Sequence, residues 1–384
     1  MLNDFEPFNY FLPTQISFGV GLSSQLGSDC KEAGYKSALV IVDPGVRASG
    51  AVDPVFSSLG ESGIQITEWT SVEPNPTDVQ VETAATTFRE SSPDAIIGIG
   101  GGSALDTAKG VSILATNPGR LGEFAGNGLV SNRAHPTILV PTTAGTGSEV
   151  TANVSVTQEA TTDKIAVRDR NAYATQAILD PGLLAGLPSE PAAAAGIDAL
   201  THAIESYTST RSNEMTRLLA LEAVRRIGDD LETFVEDRRN PKAAASMLYA
   251  SCLAGIAISH TGTGNAHAIS RALGGKYGVS HGVGCGMALP AVMEFNAEQD
   301  PYPYSQLAKA LGVDEPHEHA ALNAELAIRR VDELRDRIGI PEHLGVTSSA
   351  SEIEELCDQV VAKSGPNPRE TTTADAKHLL AKVL

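Results

Sequence analysis

An apolar run from Ala95 to Gly100 passes without a break into Gly101, Gly102 and Ser103, and then into residues of helical period carrying Asp106 and Lys109. A strand that ends in glycines and opens a helix on the next residue belongs to a βαβ unit, and this segment constrains the fold more than any other. The same alternation recurs on both sides of it. Between Lys36 and Pro188 come SALVIVD, a helix near Val52 to Ser62, IQITEW, a helix across Val79 to Glu90, DAIIGIG, a helix from Ser103 to Ala115, and TILVPTT. This half is expected to be an α/β domain with a mainly parallel sheet, whose ligands sit beyond the carboxyl ends of the strands.

Gly100, Gly101 and Gly102 let the backbone approach a pyrophosphate closely, while free N–H groups and the positive end of the helix begun by Ser103 attract it. The loop matches neither GxGxxG nor GxxxxGK[ST], so a nucleoside triphosphatase is not expected. A tight strand-to-helix turn is the competing reading. A second loop, PTTAGTGSE (Pro141 to Glu149), also follows an apolar strand, and its Thr142, Thr143, Thr146 and Ser148 can donate to phosphate or carboxamide. Two such loops suit a dinucleotide. Asp43, at the end of SALVIVD, is placed to accept from a ribose and to repel a 2′-phosphate, which favours NAD over NADP; a turn former before Pro44 and Gly45 is the alternative.

The second half reads as helices, with amphipathic periods across Glu214 to Glu236, Lys242 to Ser259, Ala320 to Ile338 and Ser351 to Lys363. Asp198 and His202 are four residues apart, so one helix presents them on the same face. His267 lies in a second helical stretch, and a turn around Gly274, Gly275 and Gly278 is expected to bring His281 back towards it. Three imidazoles and one carboxylate suit Fe(II) or Zn(II) and are poor for calcium or magnesium. A solvated Asp–His pair and a hydrogen-bonded core histidine are the competing readings. Cys285, four residues beyond His281, can approach this set, but four better ligands already complete a tetrahedral shell.

With 384 residues the chain is long enough for two domains, expected at 1–187 and 188–384. The apolar runs ALVIV and AIIGIG are far shorter than the roughly 20 residues that cross a bilayer, and MLNDFEPFNYFLP lacks the basic start and apolar core of a secretory signal. A cytoplasmic protein without a membrane partner is expected. The net charge of −19 argues against nucleic acid and, weakly, for a salt-rich cytoplasm. Cys30, Cys252, Cys285 and Cys357 form no CxxC pair and read as free buried thiols.

With both halves read, the chain resembles the iron-containing (group III) alcohol dehydrogenase family, a branch of the dehydroquinate-synthase-like enzymes. The resemblance rests on EPNPT (Glu73 to Thr77), GIGGGSALDTAKG (Gly98 to Gly110), PTTAGTGSEVT (Pro141 to Thr151), Lys164 followed by Asp180 and Pro181, GIDALTHAIES and HGVGCGMALP. It implies an N-terminal dinucleotide-binding domain, an all-helical C-terminal domain, a cleft holding nicotinamide and metal, and a homodimer. It also implies metal ligation by Asp198, His202, His267 and His281, and a cofactor surface of Asp43, Asn75, Gly101, Gly102, Ser103, Asp106, Thr142, Thr143, Thr146 and Lys164.

The implied reaction is hydride transfer between NAD(H) and a small alcohol or carbonyl compound, with the metal as Lewis acid on the substrate oxygen. Two positions depart from the family pattern. Arg271 stands where many relatives have a second histidine; it cannot act as a base near neutral pH, but it could bind a carboxylate, sulfonate or phosphonate tail. His260 stands where many relatives have asparagine and is a candidate proton relay, beside water and the nicotinamide ribose hydroxyl. The alternatives are a reductase for anionic aldehydes or oxo-acids, dehydroquinate-synthase-like chemistry, which the scarcity of lysine in the second half disfavours, and a nucleotide-binding protein without turnover.

Overall fold

The computed structural model describes residues 7–161, 164–313 and 318–384; residues 1–6, which open the acidic and aromatic N-terminal segment, lie outside the described residues. The chain divides into two compact units, Phe11–Leu187 and Pro188–Leu384, and the N-terminal residues through Tyr10 group with the second. A linear division at 187 assigns those residues to the α/β half instead.

In the first unit the strands are β1 (Gln15–Phe18), β2 (Ser37–Val42), β3 (Gln65–Trp69), β4 (Ala95–Gly100), β5 (Gly126–Asn127), β6 (Thr137–Pro141), β7 (Asn153–Thr157), β8 (Lys164–Arg168) and β9 (Gln176–Leu179). The helices are α1 (Leu26–Glu32), α2 (Pro44–Ala48), α3 (Asp53–Glu61), α4 (Asp78–Ser91) and α5 (Gly102–Thr116). Six strands form a parallel sheet in the order β1-β9-β6-β4-β2-β3, and β5, β8 and β7 form a separate small sheet.

The strand period of two divides the core between the faces of the sheet. Leu39, Ile41 and Ile96 pack with Val81 and Phe88 of α4 and Leu105 and Val111 of α5. Val40, Val42, Ile97 and Ile99 point the other way, against Leu26, Val55 and Leu59. Each such fully buried aliphatic side chain contributes about 1.5–3 kcal/mol, which explains why β2 and β4 read as unbroken apolar runs. Gly98 faces α5, where a Cβ would stand 2.7 Å from that of Ala108 and 2.8 Å from Leu139 Cδ2. The missing side chain therefore lets α5 lie close on the sheet.

In the second unit the helices are α6 (Ser189–Thr208), α7 (Glu214–Glu236), α8 (Pro241–Thr261), α9 (Asn265–Tyr277), α10 (His281–Ala297), α11 (Tyr302–Ala310), α12 (Ala320–Arg337), α13 (Ala350–Lys363) and α14 (Thr373–Val383). Their starts follow local chemistry: Asn213 and Thr216 form a capping box on α7, and Asn240 caps α8 ahead of Pro241. The glycine-rich turn is shorter than its sequence suggests. Gly274 and Gly275 stay inside α9, and only Gly278, at φ 70°, leaves the helix. Although α8 is long and apolar enough to cross a membrane by length and composition, 78% of its apolar window is buried inside the unit. That burial is the pattern of a core helix.

Candidate functional site

In the α/β unit β4 lies between β2 and β6, so Asp43, the three glycines and the Thr142 loop all issue from neighbouring strand ends. Thr142 N donates to Gly100 O at 2.9 Å, tying the two loops together. The glycines are demanded by this approach. A Cβ on Gly100 (φ 148°) would lie 3.0 Å from Asp43 Cβ, one on Gly101 would lie 3.3 Å from Thr143 Cγ2, and one on Gly102 would lie 2.8 Å from Thr146 Cγ2. No side chain caps α5 at its start, so its first amides, with Ser103 in the first turn, keep their capacity to hold an anion. Thr142 Oγ1 is buried and has no hydrogen-bond partner, as a side chain awaiting a ligand would be.

Other expected cofactor residues are engaged within the unit. Asp43 Oδ1 accepts from Val46 N at 2.9 Å and so caps α2, the turn-forming role weighed against ribose binding. Asp106 is a brace: it accepts from the Ser148 hydroxyl and, at 2.9 Å, from Ser155 N, and it pairs with Lys109 Nζ at 3.1 Å. Lys109, fully buried, also donates to Ser148 O at 2.9 Å, so Asp106 and Lys109 clamp the second loop onto α5. Asn75, at φ 56°, accepts from Lys164 Nζ at 3.0 Å. Asp180 spends its carboxylate on Gly21 N, Ser23 and Gly182 N. Glu149 was not anticipated: buried in the same loop, with Oε1 lacking a hydrogen-bond partner, it has its carboxyl pushed up by burial to about 7 despite the neighbouring Lys109 ammonium.

In the helical unit, α6 presents Asp198 and α9 presents His267, 3% and 1% exposed, with Asp198 Oδ1 and His267 Nε2 3.5 Å apart. His281 Nε2, from the first turn of α10, stands 3.7 Å from the same oxygen. Two glycines make this convergence possible. A Cβ on Gly282 would lie 2.0 Å from Ala194 O of α6, and one on Gly284 would lie 2.8 Å from Ser270 Oγ of α9. Helix α10 therefore rests on the backbones of both neighbours, which delivers His281 to Asp198.

The imidazoles are oriented by partners that the sequence reading missed. His267 Nδ1 donates to Glu205 Oε2 at 2.6 Å, and Glu205 also accepts from Gly264 N at 2.7 Å and Ala266 N at 2.8 Å. Ser270 Oγ donates to His281 O at 2.7 Å and lies 3.2 Å from His281 Nδ1. With each Nδ1 occupied, each Nε2 lone pair is directed inward, the arrangement of an imidazole set to ligate a metal. The signal for Glu205 was present: with Asp198 and His202 it completes an i, i+4, i+7 stripe on α6.

The electrostatics favour a cation at this point. Burial alone would raise both carboxyls, but His202, His281 and His267 hold Asp198 well below the usual range, and His267 with the backbone amides holds Glu205 down. Asp198 Oδ1 and His267 Nε2 are buried without a hydrogen-bond partner. Such atoms are costly unless something fills the space between them, and a divalent ion fits this donor chemistry. Among the described residues, one donor atom each of Asp198, His267, His281 and Cys285 lie within 4.8 Å of one another. The His202 ring stacks on His267 at 4.6 Å between centroids, outside that grouping. His202 Nδ1 is itself buried without a hydrogen-bond partner, and the His202 ring is the first of the charges that hold Asp198 down, so it stays beside the expected donor set.

The two departing residues are also placed. Arg271 donates to Thr263 Oγ1 and to Lys363 O, each at 3.2 Å, which ties α9 to the end of α13 and leaves the anionic-tail reading without geometric support. The His260 ring is stacked on Tyr10 at 4.4 Å, with Nδ1 2.8 Å from Ile256 O. All four cysteines are buried and free.

A family model described as iron-containing alcohol dehydrogenase matches residues 13–181, and one described as the C-terminal part of the Fe-containing alcohol dehydrogenase family matches residues 192–384. The chain is 38% identical to the 1,3-propanediol dehydrogenase of Citrobacter freundii over 88% of each chain. It is 31% identical to the NAD-dependent methanol dehydrogenase of Bacillus methanolicus, over 98% of this chain and 100% of the relative. A crystal structure of 1,3-propanediol oxidoreductase superposes with a TM-score of 0.95 at 34% identity, covering 99% of this chain and 100% of that one. The chain belongs to the iron-containing alcohol dehydrogenase family, enzymes that use NAD and a divalent metal.

Proposed function

We propose that this NAD(H)-linked oxidoreductase interconverts short primary alcohols or diols with their aldehydes, using a metal held by Asp198, His202, His267 and His281. The observation that carries the reading is the pair of buried, unpartnered atoms Asp198 Oδ1 and His267 Nε2, with His281 Nε2 beside them. When bound, the metal supplies Lewis acidity towards the substrate oxygen and NAD carries the hydride.

The chain's own residues set the geometry. Glu205 fixes the His267 tautomer through Nδ1, and Ser270 steadies His281. The uncapped start of α5 and Gly100 to Ser103 receive the pyrophosphate, while Thr142, Thr143 and Thr146 line the second loop and Asp106, Lys109 and Ser148 hold it in place. Asp43, Asn75 and Lys164 complete the proposed nucleotide surface. His260 is retained as a proton-relay candidate, and a His260→Ala enzyme with unchanged rate and pH profile would remove it. The reading extends to a cytoplasmic homodimer that binds neither nucleic acid, given its charge of −19, nor membrane, given the burial of α8; light scattering of the purified protein tests the dimer.

The test is to purify the protein without chelator, measure bound metals, and follow NAD reduction with short alcohols and diols beside NADH oxidation with neutral and anionic aldehydes. Metal-dependent turnover of the neutral compounds supports the proposal. Bound metal and NAD without turnover of any of them would overturn the substrate assignment.

A further inference from the structure

Two buried polar atoms on the second loop of the α/β unit have no hydrogen-bond partner: Thr142 Oγ1 and Glu149 Oε1, on residues 3% and 2% exposed. Such atoms are costly to bury unless a ligand meets them. They belong to one region. Thr142 follows directly on β6, and the short turn Ser148–Val150 that carries Glu149 packs against β6 and β9. The Lys109 ammonium does not satisfy Glu149, because it donates to Ser148 O, Thr151 Oγ1 and Asn153 O and pairs with Asp106. Burial therefore outweighs the Lys109 charge and pushes the Glu149 carboxyl up to about 7.

The order of the strands says which part of a dinucleotide passes this region. Asp43 follows β2, the glycine cradle closes β4 and Thr142 follows β6, side by side in one parallel sheet. A pyrophosphate on the cradle, with its adenosine on the Asp43 side, sends the nicotinamide to the side of β6 and β9. A carboxamide carries one carbonyl acceptor and an NH2 donor, the complement of a hydroxyl that donates and a carboxyl oxygen that accepts. We infer that Glu149 binds the carboxamide NH2 of the cofactor through Oε1, while the Thr142 hydroxyl donates to the carboxamide oxygen. The inference rests on the cofactor reading above. A carboxamide held at both ends keeps the ring from turning about its glycosidic bond, so that one face stays presented for hydride transfer.

The test compares three ligands by calorimetric titration: NAD, its acetylpyridine analogue, in which a methyl replaces the carboxamide NH2, and ADP-ribose, which lacks the nicotinamide. The unaltered protein is expected to bind NAD about 2–10-fold more tightly than the analogue, the worth of one hydrogen bond. Glu149→Met, close in shape but without an oxygen, is expected to bind NAD and the analogue alike and to leave ADP-ribose unchanged, whereas Glu149→Gln keeps the preference. Thr142→Val is expected to weaken both dinucleotides by the same factor and to spare ADP-ribose. A preference that survives Glu149→Met overturns the inference. So does a loss in Glu149→Met that ADP-ribose shares equally, because it marks a purely structural role. An unaltered protein that binds ADP-ribose but does not distinguish NAD from the analogue overturns the inference and leaves the cofactor reading standing. Failure to bind any of the three overturns both. Because the unaltered protein by itself can overturn the inference, a poorly folding variant does not shield it.

Discussion

Glu205 illustrates how a residue that need not touch a ligand governs one. Its carboxylate fixes the His267 tautomer and takes up the amides at the start of α9, so one side chain sets both ring and helix. Glu205→Gln keeps the shape and removes the charge; it is expected to weaken metal retention about 10–100-fold, read by competition with a chelator. Glu149 makes a different prediction. Its folded-state pKa of about 7 lies above its ordinary 4.5, so its contribution to stability is full below about 4.5 and is lost as pH rises through about 7. Glu149→Gln should remove that decline and raise stability above neutral pH by up to about 3 kcal/mol, measured by denaturant unfolding across a pH series. If the variant keeps the same pH dependence, the carboxyl is ionised throughout.

Among the elements, α10 has the most demanding position, because its first turn lies against the backbones of α6 and α9. Gly282→Ala places a methyl 2.0 Å from Ala194 O. The clash should cost about 3 kcal/mol and push His281 and Cys285 away from Asp198, with loss of bound metal. A variant that keeps full metal content would show that α10 can shift without opening the site. The pairing of Asp198 with His202 was legible because helical period is a local property, and Glu205 was legible in principle for the same reason. That α10 meets α6 at Gly282 was not, since that contact joins residues far apart in sequence. The bracing of Asp106 by Ser148 and Ser155 was likewise hidden, since those partners lie 42 and 49 residues away along the chain.

For the whole molecule, the metal is also expected to act as a stabilising ligand. A free ion at 100 times its dissociation constant adds about 2.7 kcal/mol, so chelation should lower the melting temperature and zinc should restore it. An unchanged melting temperature, with metal removal verified, would mean that the helical unit holds its donors in place without the ion. The sequence by itself determined the class of each half, the glycine cradle and the candidate donors, because strand and helix periods, turn glycines and short spacings are written in neighbouring residues. The tertiary structure alone decided which donors meet. It placed Cys285 within the tight grouping and His202 against the His267 ring, turned Asp106 and Arg271 to internal partners, and grouped Tyr10 with the helical unit. The physical reason is that helix packing distances depend on which backbones a missing Cβ lets approach, and that depends on residues distant along the chain.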